Sequence, residues 1–81
     1  GEITSTGADQ AAALAAVKQR YAGEPGAELD ELDGLTVSLP DGSWFNLRPS
    51  NTEPLLRLNV EAPDEARMAT LRDEVLAIVR G

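Results

Sequence analysis

Three stretches of strict alternation between residues 35 and 60, separated by proline-bearing breaks, constrain this chain more than any other feature. Leu35, Val37 and Leu39 take one side, with Thr36 and Ser38 between them. Phe45 and Leu47 repeat the pattern against Trp44, Asn46 and Arg48. Leu56, Leu58 and Val60 repeat it again against Leu55, Arg57 and Asn59. A two-residue repeat sends alternate side chains to opposite faces of a sheet. Pro40-Asp41-Gly42 is a turn signal with proline in its favoured second position, and Pro49 to Pro54 makes the second break. The pattern predicts three consecutive antiparallel strands sharing one apolar face.

That face needs a cover, and two amphipathic segments can supply it. Asp9 is a candidate N-cap for a helix over Ala11 to Tyr21, where Leu14, Val17 and Tyr21 recur at helical spacing beside Ala13 and Ala16. Lys18 and Arg20 suit its negative end, and Gly23, Pro25 and Gly26 stop it. Pro63-Asp64 opens a second helix with a predicted buried stripe of Met68, Leu71, Val75, Ile78 and Val79. Its wet face holds Arg67, Arg72, Asp73 and Glu74. From Glu24 to Asp33 five of ten positions are acidic, which reads as a solvated face or an edge strand. Leu29 and Leu32 are its apolar anchors beyond Ala27, and Asp33-Gly34 ends it in a tight turn. Residues 1–7 read as a linker or short entering strand, and residues 8–81 as a single domain. The expected class is α+β, with two helices on one face of a small antiparallel sheet of about four strands.

Charge and missing residue types exclude several functions. Fourteen acids against seven bases give a net charge of −7, with no basic footprint for nucleic acid. No apolar run approaches the ~20 residues that a membrane-spanning helix needs. Without cysteine or histidine there are no disulfides, no thiolate or imidazole chemistry and almost no route to a zinc site. Gly1-Glu2-Ile3 does not begin a targeting signal, so a cytoplasmic setting is expected. Starting without methionine, the chain is expected to be part of a longer protein. Its charge is unevenly spread: residues 1–43 hold eight acids and two bases, while residues 44–81 hold six acids and five bases.

One segment in the less acidic half carries chemistry. Arg48-Pro49-Ser50-Asn51-Thr52-Glu53-Pro54 joins two strands and consists almost wholly of hydrogen-bonding groups. Arginine offers a planar fork matched to two phosphate oxygens. Ser50 and Thr52 add hydroxyls, Asn51 adds an amide, and the two prolines stiffen the ends. The segment reads either as a phosphate cradle or as an ordinary solvated hairpin loop. It offers no base, no activated nucleophile and no metal cluster. Asp30, Glu31 and Asp33 are the nearest thing to a Mg²⁺ group, but they alternate across a presumed edge strand, and no metal site is expected.

Arg48 to Pro54, continuing as Leu55-Leu56-Arg57-Leu58-Asn59-Val60-Glu61-Ala62, closely resembles the C-terminal phosphate-binding loop of the α-D-phosphohexomutases, in particular the bacterial phosphomannomutase/phosphoglucomutase group. Gly1-Glu2-Ile3-Thr4-Ser5 is similar to the segment entering the last domain of those enzymes, with Thr4 in place of the usual Asn. Asn51 is the discriminating letter, since relatives acting on glucosamine phosphate typically carry Gly there. The resemblance implies a last domain of the TATA-binding-protein-like type. It would hold the non-reacting phosphate of a hexose phosphate through Arg48, Ser50, Asn51 and Thr52, with Glu53 and Arg57 as supporting letters. It also implies a parent enzyme interconverting hexose 1-phosphates and 6-phosphates of mannose or glucose, with its phosphoserine and Mg²⁺ on other domains. This domain alone would have no cofactor and no activity. The alternatives are a phosphoglucosamine mutase or other phosphohexomutase, or a non-enzymatic anion-binding module. Expected partners are the hexose phosphate and the other domains, with no nucleic acid and no membrane.

Overall fold

The computed structural model describes residues 2–6, 10–50 and 55–80. Within them the chain runs β1 (Glu2–Thr6), α1 (Gln10–Ala22), β2 (Glu28–Asp30), β3 (Leu35–Ser38), β4 (Trp44–Pro49), β5 (Leu55–Glu61) and α2 (Glu65–Arg80). The strands form one antiparallel sheet in the order β1-β5-β4-β3-β2. The expected α+β class is what forms, and the entering segment supplies its fifth strand. β1 lies on the far side of β5, with Glu2 opposite Asn59 and Thr6 opposite Leu55. The acidic stretch becomes the other edge, the three-residue β2. Of its two expected anchors only Leu29 is partly buried, whereas Leu32 is 93% exposed. The cause is local: Leu32 N donates to Asp30 Oδ1 at 2.8 Å, an Asx turn that carries Leu32 to the tip of the connection.

Both helices cover the same sheet face. The sheet contributes Leu35, Val37, Phe45, Leu47, Leu56, Leu58 and Val60 to the core. α1 contributes Ala13, Val17 and Tyr21, and α2 contributes Leu71, Val75 and Leu76. Ala16 is exposed, contrary to expectation, because the buried row of α1 advances by fours and Ala16 lies about 100° round from Val17. Leu76 joins the expected stripe of α2, with Met68, Ile78 and Val79 packed at its margins. Asp64 caps α2 by accepting the Arg67 N–H at 2.7 Å. The Asp9 cap lies outside the described residues. No helix among the described residues is long and apolar enough to cross a membrane.

Tyr21 sits where the two helices meet the sheet. Its ring meets Phe45 edge-on, with centroids 5.1 Å apart. The Arg20 guanidinium lies 5.0 Å above the same ring and pairs with Glu24 and Glu74, each at 3.1 Å. Burial, helped by the negative charge of Glu74, pushes the phenol up to about 12.

The β3–β4 hairpin shows how the turn residues act. Gly42 N donates to Leu39 O at 3.2 Å around Pro40-Asp41, and Leu39 N donates to Ser43 O at 2.8 Å. Gly42 holds φ +93°, the left-handed position that a type I turn followed by a bulge requires. Asp41 then works twice: Oδ1 accepts the Ser43 N–H at 2.9 Å and Oδ2 accepts Arg67 Nε–H at 3.0 Å. The Ser43 backbone N–H most of all, aided by the Arg67 guanidinium, lowers this carboxyl from 3.8 to about 2. A depressed carboxyl stabilises the folded chain fully above its ordinary pKa, and that contribution is lost as pH falls through about 2. The side-chain carboxyl carbon of Asp41 should therefore titrate near 2 by NMR; a midpoint at 3.8 would show that neither bond persists in solution.

Candidate functional site

The sheet face away from the helices carries the polar partners of the core strands. Arg48 ends β4 on this face, and strand register puts it directly opposite Arg57 of β5. One step along, Asn46 stands between Thr36 of β3 and Asn59 of β5. The two arginines therefore share a face, as the alternation predicts, and flank the connection that leaves β4 after Pro49. Like charges placed directly across antiparallel strands repel each other. The pair is favourable when an anion lies between or above it.

Arg48 is half-buried and Arg57 is exposed. Arg48 Nη1 donates to Asp33 Oδ2 at 3.2 Å. Among the described residues, the ion pairs that form use Lys18, Arg20, Arg48, Arg67 and Arg72, and not Arg57. Ser50 is half-buried at the start of the connection. Asn51, Thr52 and Glu53 lie outside the described residues. Of the six residues singled out from the sequence, the fold thus brings Arg48 and Arg57 to one end of the open face, with Ser50 two positions after Arg48 at the start of the connection.

Asp33 was legible only as one member of an acidic run. Its approach to Arg48 depends on the turn after β2, where Gly34 adopts φ +69° and its backbone lies against Arg48. The Asp-Gly pair preceding the first alternating segment is the sequence signal that could have placed it. Asn46, read only as a residue of the open face, bonds this turn through Nδ2, which donates to Asp33 O at 2.8 Å and lies 3.1 Å from Thr36 Oγ1.

The three carboxylates weighed as a cation group go to separate partners. Asp30 accepts the Leu32 N–H, Glu31 pairs with Lys18 at 2.9 Å, and Asp33 pairs with Arg48. Among the described residues no three acidic side chains gather as a metal site. A groove at the β5–α2 junction, beside Met68, is flanked by Glu61, Asp64 and Glu65. Three carboxylates make it repulsive to a phosphate.

Residues 2–78 match the family described as phosphoglucomutase/phosphomannomutase, C-terminal domain. The chain is 42% identical over 79 residues to a phosphomannomutase of Methanocaldococcus jannaschii, covering 98% of this chain and 17% of that protein. It is 47% identical over 83 residues to the phosphohexose mutases of Xanthomonas campestris, covering all of this chain and 18% of that protein. A probable phosphoglucosamine mutase of Methanopyrus kandleri is 53% identical over 53 residues, 65% of this chain and 12% of that protein. The chain spans less than a fifth of the length of these relatives.

Proposed function

Since the chain belongs to the phosphoglucomutase/phosphomannomutase C-terminal domain family, we propose that it grips the non-reacting phosphate of a hexose phosphate for a cytoplasmic phosphomannomutase/phosphoglucomutase. In this proposal Arg48, Ser50, Asn51 and Thr52 hold the phosphate, and Glu53 and Arg57 support them. The observation that carries it is the cross-strand opposition of Arg48 and Arg57 at the mouth of the connecting segment. A bound dianion relieves that repulsion and gains a bidentate, charge-assisted contact with the guanidinium fork.

The contribution to the parent reaction is positional. Fixing one phosphate orients the sugar so that its other end meets the reacting group, and such orientation can supply much of a rate enhancement. The chain holds no histidine or cysteine to move a proton or attack phosphorus. In this proposal the Mg²⁺ of such enzymes is held by other domains of the parent. Alone, the chain is inactive. The Methanopyrus kandleri relative favours a second reading, a phosphoglucosamine mutase, over the part of the chain that it covers. Asn51 in place of glycine argues against it.

A chemical-shift titration with glucose or mannose 6-phosphate at low salt tests the proposal. Net charge disfavours approach and solvent competes at an open site, so a dissociation constant of about 1 mM, or roughly −4 kcal/mol, is expected. Shifts should centre on Arg48 and Ser50, and the sugar phosphate should stay unconverted over hours. Arg48→Ala should abolish the response, and Arg48→Lys should restore it only in part, because a point charge cannot bridge two oxygens. Shifts confined to Arg20 and α2, or turnover by the purified chain, would overturn the proposal.

A further inference from the structure

Resting on the phosphate-site proposal, we propose that Asp33 is the resident counter-ion of Arg48. Its carboxylate holds the guanidinium at the mouth of the site while no anion is bound, and an incoming phosphate displaces it.

Three features fix the Asp33 turn, two of them against β4. Asp30 Oδ1 accepts the Leu32 N–H at 2.8 Å and closes the turn from one side. Asn46 Nδ2 donates to Asp33 O at 2.8 Å and anchors the Asp33 backbone to the middle of β4. Gly34, at φ +69°, brings its backbone so near that a Cβ there would lie 2.5 Å from Arg48 Cβ and 2.6 Å from Leu47 O. The backbone of Asp33 is therefore fixed, whereas its carboxylate reaches outward to Arg48 Nη1 at 3.2 Å.

The ion pair itself is weak by construction. The Asp33 side chain is 77% exposed and that of Arg48 is 39% exposed, so water screens the contact. Exposed pairs of this kind contribute at most about 1 kcal/mol. A phosphate dianion offers two oxygens to the same fork and more charge to the Arg48–Arg57 pair, so it wins the exchange. A monoanion gains much less over the carboxylate already present. Asp33 thus sets a threshold: it keeps Arg48 extended and partly neutralised, and it yields to dianions.

The test compares inorganic phosphate binding, followed by NMR, in four forms of the chain: wild type, Asp33→Asn, Arg48→Ala and the double variant. Asparagine keeps an acceptor for Nη1 but removes the competing charge. Asp33→Asn should tighten phosphate about fivefold, the full strength of an exposed pair, and lower the melting midpoint by no more than about 8 °C. It should also narrow the preference for phosphate over the monoanion acetate, and Asp33→Glu should restore wild-type selectivity. In the Arg48→Ala background, Asp33→Asn should change nothing. Equal phosphate affinity in wild type and Asp33→Asn, with binding lost in Arg48→Ala, would overturn the counter-ion role and leave the phosphate site standing. A gain from Asp33→Asn that persists without Arg48 would overturn it too, as a mere effect of net charge. Phosphate binding untouched by Arg48→Ala would remove the phosphate site and this inference with it.

Discussion

Gly34→Ala is expected to strip the chain of most of its folding stability. The residue combines two demands that alanine cannot meet. Its φ of +69° costs an L-residue about 1–2 kcal/mol. Its Cβ would also meet Arg48 Cβ at 2.5 Å, Leu47 O at 2.6 Å and Arg48 Cα at 2.9 Å. Two of those atoms are backbone in a central strand, so no rotamer change relieves the clash. The turn must lift off β4, which stretches the 2.8 Å bond from Asn46 to Asp33 O. Overpacking of this kind costs about 1–3 kcal/mol more. A domain of this size gains only about 3–5 kcal/mol from its core, so the two penalties together consume most of it. Gly23→Ala is the matched control, since nothing lies within 4 Å of a Cβ there and its φ is not positive. Urea unfolding should separate the two variants widely; similar midpoints would mean that the turn does not press on β4 in solution.

Phe45→Ala should be as damaging for a different reason. Phe45 is fully buried in β4 and touches the Tyr21 ring edge-on at 5.1 Å, so it joins the sheet to α1 at the centre of the core. Truncating a buried phenylalanine to alanine costs about 3–5 kcal/mol, combining lost transfer energy with an unfilled cavity. Against so small a margin the variant should show no cooperative melt. Phe45→Leu keeps most of the volume, loses the ring contact and should melt cooperatively at a lower temperature. A cooperative Phe45→Ala transition within a few degrees of wild type would show that the helices are not packed on this face.

The fold was legible where local chemistry decides it. Alternation fixed which side chains of β3, β4 and β5 face the helices, and Pro40-Asp41-Gly42 marked the hairpin between the first two. The same alternation put Arg48 and Arg57 on one face without any structure. What could not be read depends on contacts distant in sequence or on turn geometry. Glu2 to Thr6 contain a single large apolar residue, and their partner strand lies near the other end of the chain, so periodicity left a linker and an edge strand equally open. Leu32 looked like an anchor because it is apolar, but the Asx turn at Asp30 overrides that preference. Asp33 looked solvated because its run is acidic. Only the path of the chain through Gly34 shows which cation it meets.

The strand order also bears on the sequence in which contacts form. β2, β3, β4 and β5 are neighbours along the chain and in the sheet, so their pairing closes only short loops. β1 pairs with β5 across sequence separations of 49 to 57, and that closure carries a larger entropic cost before any bond rewards it. The meander and its helices should assemble first, with β1 docking last onto an edge already made. In the native state β1 should correspondingly be the first element to peel away, by an opening smaller than global unfolding. Its amides, and those of β5 that face it, should exchange with solvent faster than the amides shared by β4 and β5. Equal protection across all three strands would mean that the sheet opens only as a whole.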